Sequence, residues 1–142
     1  MKESKDVLAS ILKTTQMGQL GIEAVAKKAV SCKMKDALHA QKQEYDVIEK
    51  EAYTLAVQRK WELQALDPAI KVMAKAMVYP RLSYGNVDSK IAAMMINGNT
   101  RGMIKGLKNL HNCRKPDTEI AALGEKLLQT EQANIRQMQG FV

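Results

Sequence analysis

Long hydrophobic runs are missing from this 142-residue chain. No stretch of about 18 apolar residues occurs, so no membrane-spanning helix is expected. Aromatic residues are scarce at 4%. Clean apolar/polar alternation and β-branched runs are absent too, which argues against a sheet protein. With no strand there is no strand-to-loop phosphate cradle of the dinucleotide-binding or P-loop kind. Only two cysteines are present, Cys32 and Cys113, with no CxxC spacing. They are expected as free thiols, not as a disulfide framework or a zinc or redox motif. The two histidines, His39 and His111, fall off the apolar stripes described below, so no Ser-His-Asp or Cys-His arrangement is suggested. The charged start, Met1 to Asp6, lacks the apolar core of a secretion signal, and a cytoplasmic protein is expected.

Prolines number three, Pro68, Pro80 and Pro116. Each falls where a helical pattern stops. The first predicted helix spans residues 5–29 after Ser4 as N-cap, with a stripe through Leu8, Ile11, Thr15, Gly18, Ile22 and Val25. The second spans 33–62, with a stripe through Met34, Leu38, Gln41, Tyr45, Ile48, Ala52 and Leu55. A short third helix, 68–79, opens on Asp67-Pro68 and closes at Pro80. The fourth spans 88–111, with its arc on Ile91, Ala92, Met95, Asn99, Met103 and Leu110. The fifth runs from Pro116–Thr118 to about Gly140 through Ile120, Gly124, Leu127, Glu131, Asn134 and Met138. Four long helices and one short one in a chain of this length predict one domain, residues 1–142. The expected fold is all-α: an antiparallel four-helix bundle in which the short helix carries the chain across from one helix pair to the other.

The inward stripes are interrupted by polar residues near mid-height. The first helix offers Thr15, with Gln19 on its flank; the second offers Gln41 and Tyr45. Asn99 stands on the fourth, and Glu131 and Asn134 on the fifth. Buried polar groups are costly unless paired, so a shared hydrogen-bond network is expected. In four-helix bundles this height also holds di-iron sites, built from four carboxylates and two imidazoles. Here Glu131-x-x-Asn134 has the spacing without the imidazole. One carboxylate among amides is too little charge for two divalent irons, and no metal or cofactor is expected.

Six glycines fall within the predicted helices: Gly18, Gly21, Gly98, Gly102, Gly106 and Gly124. At about 1 kcal/mol each against alanine, something must compensate. Close packing of the first helix on the stripe Gly98, Gly102 and Gly106, with Gly18 opposite, is the expected gain; a ligand cleft is the alternative.

The segments Thr15–Val25, Ser89–Ile104 and Glu131–Met138 resemble a group of small ferritin-like helical proteins of anaerobic Gram-positive bacteria. The resemblance extends from about residue 8 to 141. It implies the one-crossover ferritin-like bundle and no established activity. Wider relatives carry di-iron chemistry, but this sequence departs from their ligand motif at nearly every position.

The net charge of +7 is uneven. Residues 54–116 hold 11 Lys or Arg against 3 acids, a local +8. Lys90, Arg101, Lys105 and Lys108 are expected on one outward face of the fourth helix, a solvated face first and an anion-binding one second. The scarcity of aromatics and the lack of a helix-turn-helix disfavour a nucleic-acid partner. The sequence therefore leads to a non-catalytic, self-associating bundle with a degenerate, metal-free centre and no identified protein partner. Two alternatives remain: a divergent metal-binding or oxidoreductase centre on Glu131, and an anion binder using the basic face.

Overall fold

The apolar stripes do form helices, and they share a single core. The computed structural model describes residues 3–70, 72, 73, 82 and 85–142. Among these, four long helices stand out: α1 (Ser4–Ala26), α2 (Cys32–Gln58), α3 (Val87–His111) and α4 (Thr118–Gln139). The described chain is all-helical, with no strand. Leu8, Leu12, Ile22, Met34, Leu38, Ile48, Ile91, Ile120 and Met138 are almost wholly buried in one cluster. All but Leu12 are stripe residues, three and four apart, which is why all four helices turn those faces inward; Leu12 widens the buried face of α1. None of these helices is long and apolar enough to cross a membrane.

Caps set the helix starts. Ser31 accepts from the backbone N–H of Met34 at 3.1 Å and opens α2, one residue before the predicted start at residue 33. Asn86 opens α3 by accepting from Ser89 N–H. Asp117, just after Pro116, opens α4 by accepting from Glu119 and Ile120 N–H. The expected Ser4 cap is corrected: Glu3 caps α1, and its N–H donates to Asp6. Ser4 is used across the fold instead, its hydroxyl accepting from Asp117 N–H at 2.9 Å. Helices α1 and α2 end three and four residues earlier than the stripes suggest. Lys60 takes a left-handed φ of 56°, and the Trp61 N–H closes the end of α2 on Ala56. Of the short third helix, residues 68–70, 72 and 73 are helical. Ala74, Met77 and Pro80 lie outside the described residues.

Two polar clamps define which helix ends meet. At one end, Arg59 follows α2 and grips the Asp117 carboxylate with Nε at 3.0 Å and Nη2 at 2.8 Å. Ser4, at the start of α1, bonds the same turn. At the other end, the Asp88 carboxylate on α3 accepts the N–H groups of Val30 (2.8 Å) and Ser31 (2.9 Å) from the α1–α2 turn. The chain therefore leaves α2 at one end and re-enters on α3 at the other. On the way, the Leu66 N–H donates to Gln16 at the middle of α1. Cys32 and Cys113 fall at opposite ends, and both are free thiols as expected.

Burial pushes the Asp88 carboxyl up, but the Val30 and Ser31 N–H bonds, with the Ser31 hydroxyl and the Lys35 charge, together hold it below its ordinary value. Its contribution to stability is therefore full above the ordinary aspartate range and lost as pH falls through the lowered value. Asp88→Ala should cost about 1–2 kcal/mol near neutral pH and expose the Val30 and Ser31 amides to hydrogen exchange. Unchanged exchange at those two amides would contradict the clamp.

Candidate functional site

Burying a polar residue between helices is costly unless a partner meets it. Tyr45 is fully buried on α2, and its hydroxyl donates to Asn99 Oδ1 on α3 at 2.6 Å. Asn134 on α4 lies beside the phenol and favours its charged form. Glu131, one turn before Asn134, completes the group; it is 2% exposed. Four of the seven predicted centre residues thus come together: Tyr45, Asn99, Glu131 and Asn134.

The other three do not join them. Thr15 is buried, but its hydroxyl donates to Leu12 C=O at 2.7 Å on its own helix, a short local bond that wins over any partner across the core. Gln19 lines a separate cleft of about 200 Å³ with Gln16, Glu23 and Glu49. Gln41 donates to Gln137 Oε1 at 2.8 Å, a residue outside the predicted centre. Ser10 and Asn109, a buried pair joined at 2.5 Å near Gly106, were also missed. Serine on the flank of a leucine stripe gives little sequence signal of such a bond.

The centre is under-satisfied. Asn99 Nδ2, Asn134 Nδ2 and Glu131 Oε2 are buried without a hydrogen-bond partner among the described residues. Burial alone raises the Glu131 carboxyl to about 8, so it is mainly neutral at pH 7. Burial, then the nearby Glu131, also pushes the Tyr45 phenol well above its ordinary value, which keeps it a donor.

The glycines explain how this centre reaches the surface. An added Cβ at Gly18 would lie 2.6–2.9 Å from the Tyr45 ring, so glycine there lets the ring pass beneath α1. A Cβ at Gly102 would lie 3.0 Å from the Glu131 carboxyl carbon, and one at Gly106 3.1 Å from Leu128. These two glycines pack against α4 side chains, not against α1. At Gly21 and Gly98 nothing lies within 4 Å of an added Cβ. The expectation that Gly98 packs closely is therefore corrected. Gly18, Gly21, Gly98 and Gly102 line a cleft of about 550 Å³ between α1 and α3, with Asn99 and Glu131 on its wall.

The basic residues also divide. Arg101 and Lys105 are exposed at the mouth of that cleft, facing Lys13 of α1. Lys108 is exposed outside it, and Lys90 is half-buried near Gly85. The single outward face expected on α3 is thus split between cleft mouth and helix ends.

A metal does not fit the centre. Among the described residues no group of three or more His, Cys, Asp or Glu side chains could hold an ion. Glu131 stands with two amides and a phenol, too little anionic charge for a pair of divalent irons. His39 and His111 are exposed.

Two substitutions separate packed from open glycine. Gly18→Ala should destabilise by about 1–3 kcal/mol, because a rigid buried ring must move. Gly98→Ala should stabilise by about 0.5–1 kcal/mol through helix propensity alone. Urea unfolding reads both, and equal effects would refute the distinction. The raised Glu131 carboxyl gives a second test. The folded chain keeps a proton that the unfolded chain releases near its ordinary value of 4.5. Stability is then fullest below that value and declines as pH rises to about 8. Melting temperature against pH should show this decline, and Glu131→Gln should flatten it; parallel curves would contradict a neutral buried carboxyl.

No known protein-family model matches this chain, and no curated protein or solved structure matches it either.

Proposed function

We propose that this chain is a non-catalytic, ferritin-like bundle whose degenerate, metal-free centre serves as the wall of a small-molecule binding cleft. The observation that carries this reading is the under-satisfied pair Asn99 and Glu131, both buried, on the wall of the cleft of about 550 Å³. Buried polar atoms without partners are rare in a structural core. A cleft of this volume lies within the usual range for small ligands, roughly 300–1,000 Å³. Open glycines fit a binding wall better than a packing seam, since Gly21 and Gly98 give up helix propensity and gain no contact.

The antiparallel arrangement with one crossover is supported by the end-to-end clamps. Arg59 meets Asp117 at one end, and Asp88 meets Val30 and Ser31 at the other. A long connection between the second and third long helices is what the ferritin-like order requires. Free thiols suit a reducing, cytoplasmic setting.

Titration with Nile red, an uncharged apolar dye, tests the cleft. Saturable binding is expected in the wild type and its loss in Gly98→Leu, which fills open space and stays folded. Equal binding in both would contradict the reading. Elemental analysis after incubation with Fe(II) tests the centre: no stoichiometric metal is expected. Near-stoichiometric iron that disappears in Glu131→Ala would make this a metalloprotein instead.

A further inference from the structure

We propose that the α1–α3 cleft takes a single-chain aliphatic carboxylate, with its chain against Met17, Val25 and Met94 and its carboxylate among Lys13, Arg101 and Lys105. This inference rests on the binding-cleft reading and adds the ligand class.

Charge is the first argument. Among the described residues four cations are tied to acids: Lys42 to Glu23, Lys50 to Asp46, Arg59 to Asp117 and Glu119, and Lys126 to Glu51. Lys13, Arg101 and Lys105 have no such acid among the described residues, yet they converge on one cavity mouth. Glu131 is the only acid among the described residues lining the cleft, and burial keeps it mainly neutral, so it does not repel an anion there. An arginine fork beside two lysines suits a carboxylate, since the guanidinium offers two parallel N–H donors.

Shape and polarity exclude the simpler anions. Most of the uncharged lining is methionine, valine, leucine and glycine, Leu66 among them. A free phosphate would bind only at the mouth and leave that wall bare. A nucleic acid would need stacking aromatics, and none of the described residues lining the cleft is aromatic. An aliphatic chain fills the wall and drives water from it, while methionines adapt to its shape. Asn99 and Glu131, deeper in, can accommodate a polar end or an ordered water.

Calorimetry with dodecanoate and with uncharged dodecanol, on wild type, Arg101→Gln/Lys105→Gln and Gly98→Leu, tests this. One dodecanoate per chain is expected, bound about tenfold or more tightly than dodecanol. The double variant should lose most of that preference and leave dodecanol binding unchanged. Gly98→Leu should lose both ligands. Equal affinity for the two ligands, or an unaffected double variant, overturns the inference. If Nile red still binds the wild type and not Gly98→Leu, the cleft reading survives that result. If no probe binds, both readings fall. Co-sedimentation with phosphatidylglycerol vesicles, without uptake of free dodecanoate, would assign the cations to a lipid headgroup and also overturn it.

Discussion

Tyr45 crosses the core beneath the bare backbone of Gly18 and gives its hydroxyl proton to Asn99. The bond joins α2 to α3 across the core, and much of the centre follows from it. The ring needs a helix backbone without a side chain above it, which places glycine on α1. The bond occupies Asn99 Oδ1 and leaves the amide nitrogen of Asn99 unpaired. Asn134, beside the phenol on α4, is left with its amide nitrogen unpaired too. Glu131 is left buried with one oxygen unpaired, and a carboxyl so desolvated keeps its proton.

The consequence is a centre that is polar and nearly chargeless. Its donors and acceptors are amides, a phenol and a protonated acid, which offer little to a divalent cation. Charge is found instead at the mouth of the neighbouring cleft, on Lys13, Arg101 and Lys105. Apolar wall, neutral floor and cationic rim together favour an amphiphile over a metal or a polar anion. The cleft exists because Gly21 and Gly98 leave space where other residues would fill it.

The inward stripe was legible because helical spacing alone puts Tyr45, Asn99, Glu131 and Asn134 on buried faces. The helix starts at Asp117 and Ser31 were legible to within a residue or two for the same local reasons. Thr15 misled because a hydroxyl in a helix can satisfy itself on its own backbone. Gly98 misled because spacing shows which side a glycine faces, not how far the next helix stands from it. Gln137, the partner of Gln41, sits one position before the stripe residue Met138, where side-chain length decides the contact. The clamps at Arg59 and Asp88 join residues 57 or 58 apart, and no local pattern marks them.

The neutral state of Glu131 is the claim on which the proposed metal-free centre and anion-tolerant cleft both depend. Carboxyl-carbon NMR of the folded protein, with the Glu131 signal assigned by its loss in Glu131→Gln, measures that state directly. The account predicts a protonated signal at pH 7 that titrates near pH 8. An ordinary carboxylate signal at pH 7, titrating near 4.5, would contradict it.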